Sequence, residues 1–227
     1  MLRIRYRIRF AKSGLLRWIS HRDLASLWER LLRRAALRLS MTEGFHPKPR
    51  VAFASALALG VEGANEVVEI ELAEILTPTE LLDRLCNDNQ PGLTIHSVCR
   101  LPDGFGKAQL LRGIYKISGP QNADETAITE SIQQLFAGET VSVERKKKNI
   151  TMNVREHISE LKFEAGTLHL SLEATEAASL KPGDILDLLG LDDWIEQGAS
   201  IVRTDVILQR EIESDDSLVM AVAAGTR

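Results

Sequence analysis

A chain of 227 residues, 44% of them hydrophobic, can bury the core of one large domain or of two modules of about 100 residues, so disorder is excluded as the default. No run of about 18 apolar residues occurs, and the N-terminus alternates arginines with apolar residues where a secretory signal would be uninterrupted, so we expect a cytoplasmic protein that does not enter a membrane. The net charge of −4 conceals an asymmetry, because residues 1–50 hold thirteen Lys or Arg against three Asp or Glu, a balance of +10 that leaves −14 for the remainder.

The first half of the chain predicts the element order strand, helix, strand, strand, helix, strand. Residues 2–10 alternate apolar side chains with four arginines, which is the period-two pattern of a strand with one buried face. Ser20 begins a helix whose apolar stripe recurs at helical spacing, with Asp23 in position for a capping box. The predicted elements that follow are an apolar stretch at 51–59, strands at 66–72 and 93–99, and a helix at 77–87.

The second half repeats this pattern loosely. Two similar halves predict an α+β fold of two tandem ferredoxin-like (βαββαβ) modules at 1–100 and 113–210, joined by a linker at 101–112 and followed by a flexible tail at 211–227. A single larger mixed α/β domain is the alternative. The predicted elements of the second half are strands at 114–118 and 201–208, helices at 123–136 and 182–189, and strands near Val141, Met152 and Leu168.

His21, Asp23 and His46 are the candidates for catalysis. An imidazole beside a carboxylate could act as a general acid–base pair, as in metal-free RNA cleavage. In the structural alternative, Asp23 caps the helix and His21 hydrogen-bonds the loop backbone. The three side chains are of metal-ligand type, but no short ligand spacing supports a metal site, so we predict neither metal nor cofactor.

The loop from Gly44 to Pro49 contains two prolines that fix its backbone, so Phe45, His46 and Lys48 are presented on a preset loop. An aromatic ring, an imidazole and an ammonium together suit stacking on a base while holding a phosphate. Packing of the aromatic ring against the protein is the alternative.

The arginines of the first strand have three interpretations. Both helices of a ferredoxin-like module cover one sheet face, so these arginines would lie on the open face, which RNA-recognition modules use. They could instead protect an edge strand from aggregation or pair with acidic residues of the second module. The charge asymmetry likewise suits either an anionic partner or attraction between modules. A second basic run, 145–148, is typical of a solvated turn.

The segment KSGLLRWISHRDLASLWERLLRRAALRLSMTEGFHPKPRVAFASALALGVEGANEVVEIEL resembles the bacterial radical-SAM-linked family of unknown function. The resemblance is strong over about residues 10–72 and weak in the second half. It implies a radical SAM protein, encoded nearby or fused in relatives, as partner, and it implies no reaction. Cys86 and Cys99 are too few and too distant to bind an iron–sulfur cluster or to form a disulfide framework, so any radical chemistry belongs to another chain.

Three functions follow from these observations. The first is a non-catalytic RNA-binding accessory protein that presents tRNA or rRNA to a separate radical SAM enzyme. The second is a metal-independent RNA-processing or RNA-modifying enzyme that uses His21, Asp23 and His46. The third is an adaptor that docks on a radical SAM partner without nucleic acid. The residues predicted to bind RNA in the first case are Arg17, Arg22, Arg33, Arg34, Phe45, His46, Lys48 and Arg50.

Overall fold

The computed structural model of the chain describes residues 2–88, 90–145, 148–175, 178–212 and 218–220. The fold is mixed α+β with antiparallel strands, which confirms the predicted class. The chain divides into two units, residues 1–109 with 208–227 and residues 110–207. Within the described residues, no helix is both long enough and apolar enough to cross a membrane.

The helices and strands are named in chain order. The strands are β1 (Ile4–Lys12), β2 (Val51–Phe53), β3 (Glu62–Leu72), β4 (Leu93–Arg100), β5 (Leu110–Ser118), β6 (Thr140–Arg145), β7 (Lys148–Asn153), β8 (Ile158–Glu164), β9 (Thr167–Glu173), β10 (Ser200–Leu208) and β11 (Leu218–Met220). The helices are α1 (His21–Arg34), α2 (Pro78–Cys86), α3 (Glu125–Ala137), α4 (Val154–His157) and α5 (Pro182–Leu189), with short 3-10 helices at Gly14–Trp18 and Asp192–Trp194.

In the first unit, β1 is a central strand. It pairs antiparallel with β4 on one side and β3 on the other, while β2 pairs with β3 and β11 with β4. The apolar stripe of α1 packs on this sheet, where the Trp28 ring meets the Phe10 ring edge-to-face at 5.0 Å between centroids. The hydroxyl of the buried Tyr6 donates to the carbonyl oxygen of Leu76 at 2.7 Å, so its polar end is satisfied inside the core.

In the second unit, the strand order is β10-β5-β9-β8, with β6 and β7 forming a separate hairpin. The hairpin and the single-turn helix α4 lie between α3 and β8 in the chain. Phe163 and Trp194 pack in the core of this unit with their ring centroids 5.9 Å apart. The sequence analysis predicted neither β8, where exposed Glu160, Lys162 and Glu164 alternate with buried residues, nor α4, which is only four residues long.

Most element boundaries agree with the sequence pattern, and the differences have local causes. The apolar stretch 51–59 gives only the short strand β2, since the chain then turns towards Gly60, whose φ is +82°. Strand β3 begins at Glu62, four residues earlier than predicted. In the predicted tail, β11 pairs with β4, while 213–217 and 221–227 lie outside the described residues, as do Lys146 and Lys147 of the second basic run.

Candidate nucleic-acid interface

Helix α1 divides sharply into an apolar face and a basic face. Its buried side chains, which lie on one stripe, are Leu24, Leu27, Trp28, Leu31 and Leu32. The opposite side carries Arg22, Arg30 and Arg33, all exposed. Because positions i, i+8 and i+11 lie on one side of an α-helix, these three arginines form a single stripe facing solvent.

The loop after α1, residues 42–48, is closed at its base and exposed at its tip. The backbone N–H of Thr42 donates to the Lys48 carbonyl at 2.8 Å, and the Lys48 N–H donates to the Thr42 hydroxyl at 3.0 Å. At the tip, Phe45 has a relative exposure of 103% and makes no packing contact that would explain an aromatic residue there. The alternative that Phe45 packs against the protein therefore has no support in the described residues. His46 and Lys48 are exposed as well.

The remaining predicted RNA-binding arginines lie on the surface of the first unit in exposed or half-buried ion pairs. Surface pairs of this kind contribute at most about 1 kcal/mol, so an incoming phosphate can replace the carboxylate at little cost. Among the described residues, neither Arg22 nor Lys48 has a carboxylate within salt-bridge distance. The pairs are Arg17–Glu62 at 3.5 Å, Arg33–Glu29 at 3.8 Å, Arg34–Asp88 at 2.6 Å and Arg50–Glu71 at 3.6 Å.

The Asp23 carboxylate takes part in the capping box of α1. It accepts hydrogen bonds from the Ser20 hydroxyl at 2.7 Å and the Ser20 N–H at 3.3 Å. The serine hydroxyl, followed by the backbone N–H, holds the pKa of Asp23 below its ordinary value. Its neighbour His21 stacks edge-on against Phe53 with 5.0 Å between the ring centroids. Asp23 therefore caps the helix, as the structural alternative expects. The same alternative expects His21 to hydrogen-bond the loop backbone, whereas His21 contacts the Phe53 ring.

His46 and His21 are held at different positions along β1. His21 contacts Phe53 of β2. Phe53 pairs with Val68 of β3, and Val68 pairs in turn with Ile8 in the middle of β1. The loop that carries His46 is instead held beside the start of β1, where Arg3 and Glu43 form an ion pair at 2.8 Å. Within the described part of the chain, no group of three or more His, Cys, Asp or Glu residues is placed to hold a metal ion.

The arginines of β1 are paired within their own unit. Arg7 is only 4% exposed, and its guanidinium contacts the buried Glu69 of β3 at 2.9 and 3.1 Å. Because β1 is central, the edge-strand interpretation is wrong. The row is largely neutralised by carboxylates, so it is a weaker candidate for phosphate binding than α1 and its loop. The other pairs of the row are Arg3–Glu43 at 2.8 Å, Arg5–Glu69 at 2.6 Å and Arg9–Glu211 at 2.5 Å.

Two features of this surface were missed by the sequence analysis. A cavity of about 200 Å³ beside the loop is lined by the cations Arg5, Arg50 and Lys107 together with the carboxylates Glu69 and Glu71. Lys107 was overlooked because it lies in the predicted linker, where a single lysine gives no periodic signal. The second feature is Trp18, which is 58% exposed on the 3-10 helix before α1. Trp18 was visible in the sequence, but its exposure depends on the tertiary structure.

Comparison with known proteins gives a family and no function. A family model described as an uncharacterized protein conserved in bacteria (DUF2344) matches residues 5–182. No curated protein matches the chain. A crystal structure of an unknown protein from Galdieria sulphuraria is similar at 11% identity, covering 91% of this chain and 99% of that one, with a TM-score of 0.30.

Proposed function

The chain belongs to the DUF2344 family of uncharacterized bacterial proteins, and we propose that it is a non-catalytic RNA-binding accessory protein of the cytoplasm. In this role it presents RNA, such as tRNA or rRNA, to a separate radical SAM enzyme. The radical SAM partner is suggested by the resemblance of residues 10–72 to the radical-SAM-linked family. The RNA is suggested by the surface chemistry of the first unit.

The proposal includes two ferredoxin-like modules. In the first unit, the chain order βαββαβ and the sheet order β4-β1-β3-β2 support this topology. In the second unit, β5, α3, β8, β9, α5 and β10 follow the same chain order, and the sheet order β10-β5-β9-β8 corresponds to it. The β6–β7 hairpin and α4 are then an insertion after the first helix of the module.

The observation that carries the proposal is a fully exposed aromatic residue next to uncompensated positive charge. Phe45 gains nothing from protein packing at 103% exposure, and Lys48 lies three residues away on the same closed loop. A ring with an open face and a nearby ammonium group can stack on a base and hold the adjacent phosphate. His46 adds a second planar group beside the ring.

The loop follows α1 in the chain and is held close to the start of β1. After α1 ends, the Arg38 carbonyl accepts from Ala73 and the Ser40 N–H donates to Glu71, so the chain follows the end of β3 directly into the loop. Fourteen helical residues span about 21 Å. In the proposed complex, an RNA strand lies along the arginines of α1 and passes beyond the C-terminal end of the helix to reach the loop.

The proposal is tested by binding of a fluorescent RNA to the purified full chain across a salt series. Each phosphate contact contributes about 0.7 to the slope of log K against log salt on a single strand and about 0.9 on a duplex. The variant Arg22→Gln/Lys48→Gln removes two contacts, so its slope should be shallower by about 1.4 to 1.8. Phe45→Ala should weaken binding with an unchanged slope, because stacking releases no counterions.

The matched control is Lys162→Gln, which removes one exposed charge from β8 in the second unit. It should leave both affinity and slope unchanged. No binding at low salt, or an equal loss of slope in the control, would overturn the RNA-binding role. Presentation to a partner is tested separately, by asking whether the purified radical SAM protein forms a complex with this chain and RNA together.

A further inference from the structure

The chain has three tryptophans, and their environments differ widely. Trp28 and Trp194 are 0% and 4% exposed and belong to the cores of the two units. Trp18 is 58% exposed. A large aromatic surface left open to water on a folded unit is a feature of binding sites, because tryptophan gains more from burial than most side chains.

The loop that carries Trp18 and the loop at Gly60 are held together beside the Trp18 ring. Gly60 lies against it so closely that a Cβ there would come within 3.1 Å of the ring, and the Gly60 N–H donates to the Arg17 carbonyl at 2.8 Å. The Glu62 carboxylate accepts from the Gly14 N–H at 3.0 Å, which joins the same two loops again. The backbone beside the ring is therefore fixed, which limits the conformational entropy that this part of the protein loses when a ligand stacks there.

Positive charge lies beside the ring and continues onto the RNA-binding surface proposed above. The Arg17 guanidinium carbon is 5.1 Å from the Trp18 ring centroid, in a cation–π arrangement, and one of its nitrogens is 3.5 Å from Glu62. Arg22 follows four residues later on the exposed side of α1, where the arginine stripe begins. A partner that fits this site has both a flat aromatic group and negative charge.

We propose that Trp18 is a base-stacking platform for an unpaired nucleotide, so that the RNA recognised by this protein is single-stranded where it crosses the start of α1. This inference rests on the proposed RNA-binding function. A base in a duplex is already stacked and does not offer its face, whereas an unpaired base does. Trp18 precedes the arginine stripe in the chain and Phe45 follows it, with cations for the phosphates between them.

Two exposed leucines neighbour this site in the chain, Leu15 three residues before Trp18 and Leu59 next to Gly60, and they define the competing occupant. Leu15 is 87% exposed and Leu59 is 64% exposed. A protein partner with an apolar surface would use the leucines and the tryptophan together. A nucleotide would use the tryptophan alone, since aliphatic groups give little stacking.

The experiment follows tryptophan fluorescence of the full chain during titration with a single-stranded oligouridylate and with a duplex RNA of equal length. The two buried tryptophans contribute a constant background. Stacking on Trp18 should quench the emission with the single strand and not with the duplex. Trp18→Phe should abolish the quenching while keeping most of the affinity, and Trp18→Ala should weaken single-strand binding by roughly 5- to 150-fold. Leu15→Ala is the matched control and should change neither the quenching nor the affinity for the single strand.

The outcomes separate this inference from the function on which it rests. One outcome is that RNA binds in a salt-dependent manner, causes no quenching and binds Trp18→Ala with the same affinity. This outcome overturns the stacking platform and leaves the RNA-binding role intact. Equal losses in Trp18→Ala and Leu15→Ala also overturn the stacking platform. No binding of either RNA at low salt overturns both.

Discussion

Replacing Glu69 with glutamine should destabilise the first unit more than loss of any ion pair on its surface. The Glu69 carboxylate compensates two arginines of β1, with contacts of 2.9 and 3.1 Å to Arg7 and 2.6 Å to Arg5. Arg7 is 4% exposed, so without this carboxylate its charge is left in a low-dielectric environment.

The size of the effect follows from what remains around Arg7. Breaking a buried ion pair by removing one partner costs about 3–5 kcal/mol. Arg7 still donates to the Arg210 carbonyl at 3.1 Å and lies 3.6 Å from Glu211, which places the expected loss near the lower end, about 3 kcal/mol. For a chain of this size, that corresponds to a fall in Tm of about 6–12 °C.

Thermal and urea unfolding followed by circular dichroism measure this loss. Glu43→Gln, which breaks the exposed pair with Arg3, is the matched control and should cost less than about 1 kcal/mol. The double variant Arg7→Met/Glu69→Leu should recover much of the stability, since it removes both buried charges. A loss below about 1 kcal/mol in Glu69→Gln would refute the reasoning, because it would mean that Arg7 is well solvated in the folded protein.

Three further predictions concern the helix cap, the thiols and one close contact. The pKa of Asp23 is lower in the folded state, so its contribution to stability is present above the unfolded-state pKa and is lost as the pH falls through the folded-state pKa. Asp23→Asn should therefore flatten the acid limb of a plot of unfolding free energy against pH. Burial raises the pKa of both thiols, but Cys86 is exposed and Cys99 is buried, so a thiol reagent should label Cys86 in the native protein and Cys99 only after unfolding. A Cβ at Gly119 would approach Trp194 to 2.8 Å, so Gly119→Ala should destabilise the second unit by about 1–3 kcal/mol in urea unfolding, and wild-type stability would contradict the packing.

The local signals in the sequence were strong enough to predict the helices and most strands. The Ser20 capping box, the apolar stripe of α1 and the Thr77–Pro78 start of α2 all depend on side chains within a few residues of each other. The alternating pattern of β1 likewise predicted a strand with one buried apolar face. Strand β8 was missed although buried Leu161 and Phe163 alternate with exposed Glu160, Lys162 and Glu164, a period-two pattern that is only five residues long.

The candidate site was predicted in part. The exposed arginines of α1 could be predicted from helical spacing. The preset loop with Phe45 could be predicted from the two prolines that follow His46 and Lys48. The separation of His21 from His46 could not, because it depends on the register between β1, β3 and β2. The exposure of Trp18 was equally hidden, since in the sequence it resembles the buried Trp28 ten residues later.

The sequence by itself determined the α+β class, the basic character of the first fifty residues and the amphipathic division of α1, because these follow from composition and from periodicities of two and 3.6 residues. Only the tertiary structure decided which charges are available. Glu69 lies sixty-two residues beyond Arg7 in the chain, and antiparallel pairing of β1 with β3 places the two side by side. Charges of opposite sign neutralise one another according to their distance in space, so the arginines of β1 became structural while those of α1 stayed exposed to solvent.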